Sequence, residues 1–261
     1  MATDSLNIIG IQGDLVWENP KENIQYFEDK LNSIQQDFDL VVLPEMFTTG
    51  FTMNPKNVAE KMDGFSVSWM LEMAKKFDAA ITGSLVISEN NNYYNRLVFV
   101  HPSGEINTYD KRHSFTLAGE DKVYTSGNKK VIINYKGWNI CPLICYDLRF
   151  PVWARNTENY DLLIYMANWP VPRIKAWDTL LKARAIENMS YTIGVNRIGV
   201  DANNYKYSGN SLIIDFLGNE LASNPHFKTG ILYAELDKSA QNKTRRKLGF
   251  LEDKDEFKIN F

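Results

Sequence analysis

Trp138-Asn139-Ile140-Cys141-Pro142-Leu143-Ile144-Cys145-Tyr146-Asp147-Leu148-Arg149-Phe150-Pro151 is the stretch on which the fold turns. Its mostly apolar run, with Ile140, Leu143 and Ile144, ends abruptly in Cys145, and the chain then turns away under Pro151. This reads as a buried strand delivering a thiol to its C-terminal end. In open α/β sheets ligands sit beyond the carboxyl ends of strands, so a cysteine placed there is a candidate nucleophile. Free cysteine is also among the most buried residue types, and an inert packed thiol is the competing reading. Pro142 cannot donate to a ladder, so a local irregularity is expected there.

Outward from this strand the pattern repeats. Upstream, residues 131–134 pair with it across Lys136-Gly137. Residues 80–88, 93–101 and 105–109 read as hairpin-like strands separated by Glu89-Asn90-Asn91-Asn92 and Pro102-Ser103-Gly104, both turn chemistry. Residues 6–12 and 39–43 are short, continuously apolar strands of the kind buried on both faces. Between them Asn19-Pro20-Lys21-Glu22 starts a helix with Ile24, Phe27, Leu31 and Ile34 on one face. A second helix carries Trp69, Met70, Met73 and Phe77. Downstream, a strand over 161–167, a helix over 173–189 and a strand over 191–196 are followed by strands at 211–216, 220–223 and 230–236. The helix turns Ile174, Trp177, Leu181 and Ala185 inward, and Asp237 caps a last basic helix. So many short apolar strands call for two mixed sheets, each with helices on one face. No repeat or linker interrupts them, and one domain over residues 1–261 is expected, with a core at about 6–236 and a C-terminal helix and tail at 237–261.

Composition narrows the function. The net charge is −3 over 261 residues, with no basic stripe, which argues against nucleic acid or an anionic membrane as partner. Residues 1–5 lack a basic segment before the first apolar run, so no secretory signal is expected, and no apolar stretch reaches the ~20 residues of a membrane helix. Cys141 and Cys145 on one strand would lie roughly 13 Å apart at ~3.3 Å per residue, too far to bridge. The three histidines are scattered, without metal-ligand spacing. A cytoplasmic globular protein with no structural metal is the reading.

Acyl transfer through a thiol needs a nucleophile, a base and a pocket for the oxyanion. Three residues at the ends of expected strands supply these types: Glu45 after Leu40-Val41-Val42-Leu43-Pro44, Lys111 in Tyr109-Asp110-Lys111-Arg112-His113, and Cys145. A lysine beside Cys145 would lower the thiol pKa, and an apolar wall would raise that of Glu45. The backbone N–H of Tyr146 and the Lys111 ammonium would hold the oxyanion. Periodicity alone does not show that the three meet, and a loop carboxylate, a solvated surface cation and a core thiol are the competing readings.

Leu43-Pro44-Glu45-Met46-Phe47, Tyr109-Asp110-Lys111-Arg112-His113 and Cys145-Tyr146-Asp147-Leu148-Arg149-Phe150-Pro151 resemble, in order, the three signature segments of the nitrilase (carbon–nitrogen hydrolase) superfamily. The similarity runs over residues 6–236. It implies an α/β fold, a single-domain αββα sandwich of two mixed sheets with outer helices. It also implies Glu45 as general base, Lys111 as transition-state cation, Cys145 as nucleophile and, in Leu117-Ala118-Gly119-Glu120, Glu120 as a second glutamate that orients the site. No cofactor or metal is called for. Family members are usually dimers or larger, so a homodimer is expected.

Met46-Phe47-Thr48-Thr49-Gly50-Phe51, Asn168-Trp169-Pro170 and Ala183-Arg184-Ala185-Ile186-Glu187-Asn188 look most like the omega-amidase branch. Its members hydrolyse the terminal amide of 2-oxo-dicarboxylic acid monoamides, such as 2-oxoglutaramate and 2-oxosuccinamate. That substrate carries a carboxylate, for which Arg173 is the candidate cation, a salt bridge on its helix being the alternative. Phe47, Phe115 and Trp169 are candidate pocket walls or plain core, and Tyr146 a candidate substrate contact. His113 is read as part of a solvated turn and Cys141 as packed. Asp147 and Arg149 are expected to pair and brace the turn, and Glu187 to stand behind the site or at a subunit interface. The rivals are an amidase of another branch (deaminated glutathione, N-carbamoyl or aliphatic amides), a non-catalytic binding protein on this scaffold and, weakest for want of a C-x-x-C, a thiol redox protein.

Overall fold

The chain opens as strand β1 (Ser5–Gln12), helix α1 (Pro20–Asn32) and strand β2 (Leu40–Val42). Two helices follow, α2 (Pro55–Val58) and α3 (Phe65–Phe77), then strands β3 (Ala80–Glu89), β4 (Asn92–Val100) and β5 (Ile106–Asp110). The second half begins with β6 (Ile133–Tyr135), β7 (Trp138–Ile144), α4 (Pro151–Ala154) and β8 (Leu162–Ala167). Helix α5 (Ile174–Asn188) leads to β9 (Tyr191–Asn196) and a small hairpin of β10 (Ile198–Val200) with β11 (Lys206–Ser208). Strands β12 (Leu212–Ile214), β13 (Glu220–Ser223) and β14 (Gly230–Asp237) and helix α6 (Lys238–Leu248) complete it. The computed structural model describes residues 4–259. Residues 1–3, within the segment read for a secretory signal, and residues 260–261 of the tail lie outside the described residues.

One six-stranded sheet has the order β14-β1-β2-β3-β4-β5 and the other β13-β12-β9-β8-β7-β6. Each has a parallel core, β1-β2-β3 or β7-β8-β9, flanked by antiparallel strands. Alternation explains why these strands read as unbroken apolar runs. In β1, Leu6 and Ile8 join the core between the sheets, whereas Ile9 and Ile11 pack under α1 and α3. Leu40 and Val42 face inward in the same way, with Val41 and Leu43 facing out. Successive residues point to opposite faces, and both faces are covered. Gly10 lets β1 cross β9 closely, since a Cβ there would meet Val195 at 2.9 Å. On the opposite face of β9, a Cβ at Gly194 would lie 2.4 Å from Leu181 of α5. The αββα sandwich of two mixed sheets is borne out.

Local signals set the helix ends. Asn19 caps α1 by accepting from Glu22 N at 3.3 Å, and Asp237 caps α6 by accepting from Ala240 N at 2.9 Å. Three expectations are corrected. The register of β7 with β8 runs unbroken through Pro142 opposite Ile164, because β6 pairs only as far as Ile140 and makes no demand on the missing N–H. Asp161 precedes β8 instead of opening it, because its carboxylate takes donors from Asn139 N, Lys238 and Arg245 and so anchors α6. Arg173 belongs to a 3-10 turn (Val171–Arg173) ahead of α5 and not to the helix's first turn.

Candidate active site

Strands β2, β5, β7 and β8 end around one cavity of about 670 Å³. Cys145 follows β7 directly and begins a 3-10 turn, Cys145–Arg149, with φ of +43°. Met46, next to Glu45, has φ of +44°. A non-glycine residue in this region is uncommon and is held by its surroundings, here the buried turns that present the thiol and the carboxylate. Asp147 is part of that hold. Its carboxylate accepts from Ile144 N at 3.0 Å, the Tyr109 hydroxyl at 2.7 Å, and His113 N and Nδ1 at 3.0 and 2.8 Å. The turn bearing Cys145 is thereby fastened to the segment bearing Lys111.

Glu45, Lys111 and Glu120 are 0%, 3% and 1% exposed. The Lys111 ammonium donates to Glu45 Oε1 at 2.8 Å and to both Glu120 oxygens at 3.0 and 2.9 Å, and it sits 5.0 Å from the centre of the Phe51 ring. Asn95 Nδ2 also donates to Glu45 Oε1, at 2.8 Å, and Asn95 Oδ1 accepts from Ser84 Oγ at 2.8 Å. Glu45 Oε2 accepts from the backbone of Asn168 at 2.8 Å. Glu45 is therefore ringed by donors, not set in the apolar wall expected of it.

The electrostatics follow from burial and this crowding. Burial pushes the Cys145 thiol well above its ordinary pKa, the Glu45 charge and a hydrogen bond to Glu45 add to the rise, and Lys111 offsets part of it. The expected lowering by Lys111 is thus present but outweighed. For Lys111, burial favours the neutral amine, but Glu120 and Glu45 more than reverse this and hold the ammonium above its usual range. Burial, opposed by Lys111 and assisted by Glu45, holds the Glu120 carboxyl above the usual carboxylate range. One cation between two carboxylates makes their protonation interdependent.

Tyr146, Arg173, Phe115 and Trp169 line the cavity. Phe47 does not. It is fully buried between the first sheet and its outer helices, against Phe27 and Trp69, because the alternation that aims Leu43 outward carries this segment into the outer core. Phe115 touches Tyr146, and the Arg173 guanidinium lies 4.9 Å from the Phe115 ring centre. Arg149 also lines the cavity, 5.0 Å over the Trp169 ring, and does not pair with Asp147, whose oxygens are taken by other donors. Arg149 and Arg173 form no ion pair among the described residues. His113 is no solvated turn residue: it bonds Asp147 and stacks on Phe150 at 3.6 Å between ring centres. Cys141 is fully buried. Glu187 holds Arg184 at 2.9 Å, and Arg184 bonds the Leu148 carbonyl from behind the cysteine turn.

The residues missed by the sequence reading are Asn95, Ser84, Asn168, Arg149, Asp201 and Tyr207. Asn95 and Ser84 do carry a signal, as polar residues in otherwise apolar strands. Asp201 and Tyr207 come from the β10–β11 hairpin, which forms another part of the wall and was not anticipated. Among the described residues no group of three or more His, Cys, Asp and Glu side chains is arranged to hold a metal ion.

Comparison with known proteins agrees with this geometry. An omega-amidase, YafV, of Yersinia enterocolitica is 42% identical over 254 residues, covering 97% of this chain and 98% of that protein. A 2-oxoglutaramate amidase of Bacillus subtilis is 34% identical over 248 residues, 93% of this chain and 95% of its own. The crystal structure of a Xanthomonas campestris CN-hydrolase superfamily protein, with an arsenic adduct in its active site, matches with a TM-score of 0.95 at 38% identity, covering 98% of this chain and 99% of that one. The carbon-nitrogen hydrolase profile spans residues 8–246, and the chain belongs to the carbon–nitrogen hydrolase family.

Proposed function

We propose that this protein is a cysteine-dependent omega-amidase, hydrolysing the terminal amide of 2-oxo-dicarboxylic acid monoamides such as 2-oxoglutaramate and 2-oxosuccinamate to the oxo acid and ammonia. The observation that carries the reading is the content of the cavity at these strand ends. A thiol hydrogen-bonded to a buried carboxylate faces the same space as two guanidinium groups, Arg149 and Arg173, that have no acidic partner among the described residues. The first is what amide chemistry needs and the second what a distant carboxylate needs. The omega-amidase and 2-oxoglutaramate amidase among the relatives point the same way.

In this reading Glu45 is the general base. Because the thiol is held neutral, its proton passes to Glu45 as Sγ attacks the amide carbon, not beforehand. Lys111, kept protonated by its two carboxylates, and the Tyr146 N–H stabilise the oxyanion. The C–N bond then breaks, and ammonia leaves with the proton from Glu45. Glu45 next activates a water that hydrolyses the thioester and regenerates the thiol. Glu120 keeps the ammonium aimed, and Arg149 and Arg173 take the far carboxylate.

Two finer features belong to the same proposal. A cytoplasmic setting suits a chain whose two cysteines are free and whose working thiol must stay reduced; no helix among the described residues is long and apolar enough to cross a membrane. A homodimer suits the exposed apolar side chains Val152 on α4 and Ile186 on α5, 55% and 53% exposed. The decisive experiment is ammonia release from 2-oxoglutaramate and 2-oxosuccinamate by the wild type beside Cys145→Ala. Release abolished by the substitution is expected. No release, with Cys145 nevertheless alkylated quickly near neutral pH, would move the protein to another amidase branch, and no release with a sluggish thiol would favour a binding protein.

A further inference from the structure

Asn168 carries a bond that the protein itself leaves open. Its side chain lines the cavity and is 5% exposed. Its backbone N–H holds Glu45 Oε2 at 2.8 Å, and its Nδ2 donates to the Glu45 carbonyl at 2.6 Å. That second bond fixes which end of the carboxamide is which, so Oδ1 is an acceptor, and it is buried with no partner among the described residues. A buried polar atom left bare is rare in a native protein and calls for a cause. The next residue cannot turn to relieve it: Trp169 N donates to Asn196 Oδ1 at 2.8 Å, and Asn196 Nδ2 donates back to the Trp169 carbonyl at 2.9 Å. The segment is held with its spare acceptor beside Glu45.

We propose that Asn168 Oδ1 accepts an N–H of the substrate's carboxamide and seats the leaving nitrogen next to Glu45. This rests on the amidase reading and refines it by naming what selects the scissile group. A carboxamide offers one carbonyl oxygen and two N–H donors. Lys111 and the Tyr146 N–H are donors and serve the oxygen. The N–H groups require acceptors, and Glu45 Oε1 is already occupied by Lys111 and Asn95. With one N–H anchored on Asn168, the nitrogen's lone pair is free to take the proton that Glu45 received from Cys145. The C–N bond then breaks with its electron pair on nitrogen, neutral ammonia departs and the thioester carbonyl re-forms. An ester or a nitrile has no N–H to offer, so Asn168 favours carboxamides over both.

The test compares a leaving group that has N–H with one that lacks it. For wild type and Asn168→Ala, kcat/KM is measured on 2-oxoglutaramate, and the nitrophenolate burst rate on 4-nitrophenyl acetate, which acylates the same thiol. Loss of the bond is expected to lower the amide value about 10- to 100-fold, with the burst changing less than about threefold. Equal falls in both would reduce Asn168 to a support for Glu45 and overturn the proposal, as would an unchanged amide value. Asn168→Ser is read by the same ratio should the alanine variant not fold. A wild type that gives the burst but releases no ammonia would instead sink the amidase reading, and this inference with it.

Discussion

The Asp147 carboxylate accepts the Tyr109 hydroxyl at 2.7 Å, joining the turn of Cys145 to the end of the strand that presents Lys111. Asp147 is fully buried, and its charge is met by hydrogen bonds from Ile144, Tyr109 and His113. Asp147→Ala strands four donors. It is expected to cost about 3 kcal/mol or more in stability, read from urea unfolding. Tyr109→Phe removes three bonds, the one given to Asp147 and those accepted from Arg112 N at 3.2 Å and Trp153 Nε1 at 3.0 Å. It should cost about 2–4 kcal/mol and lower kcat more than it raises KM, because it loosens the link between nucleophile and cation.

Lys111→Met leaves Glu45 and Glu120 as buried carboxylates without their cation. Removal of one partner from a buried ion pair costs about 3–5 kcal/mol, so a lower melting temperature is expected together with loss of amide turnover. Glu120→Gln keeps the shape and one acceptor for the Phe115 N–H, now 2.5 Å from Oε2. It should fold well and lower kcat. Because the Glu120 carboxyl is held above the usual carboxylate range, its protonation would cut activity on the acid side, and the glutamine variant should lose that component of the pH profile.

Arg149→Ala and Arg173→Ala should each raise KM for 2-oxoglutaramate about 10- to 100-fold, the loss of one charge-assisted hydrogen bond. Turnover of an uncharged amide of similar length should change much less. If both substrates suffer equally, the guanidiniums hold the cavity wall and do not read the carboxylate. Phe47→Ala is the contrast case: a core cavity is expected to cost about 3–5 kcal/mol without a KM effect of this kind.

Alkaline pH should unfold the protein early. Burial pushes the Cys141 thiol up to about 12, and burial, with the nearby Asp14 charge, pushes the Tyr26 hydroxyl to about 12 as well. Tyr109, Tyr160 and Tyr165 are also held well above their ordinary values, burial being the largest cause. Each raised acid keeps its proton in the folded state while the unfolded chain loses it. Their stabilisation is full below the unfolded values of about 8.5 for thiol and 10 for tyrosine, and drains away as pH rises through the folded ones. Urea midpoints at pH 7, 9 and 10.5 should therefore fall steadily, with Cys141 unreactive toward alkylation until unfolding.

Most of the strands, the principal helices and their caps were legible because each is a local matter. Period-two and helical spacings, Asn19 before Pro20 and Asp237 before a basic run all act within one element. The short β10–β11 hairpin was not, since three-residue strands carry too little periodicity to register. Nor could the sequence choose between pocket wall and core for Phe47: a motif names Glu45 two residues before it, but which way the ring points depends on the helices packed above it.

What the chain encodes locally is therefore its alternating strands, its capped helices, and a carboxylate, a lysine and a thiol each set at a strand end. That Lys111 lies between Glu45 and Glu120 was settled by the strand order of the first sheet, that Asn168 reaches Glu45 across 123 positions of sequence by stacking the second sheet on it, and that Arg149 faces the cavity by the donors that already fill Asp147. Those contacts join strand ends of different sheets and segments. Their partners follow from layer spacing and register, which arise only when both sheets bury their faces together.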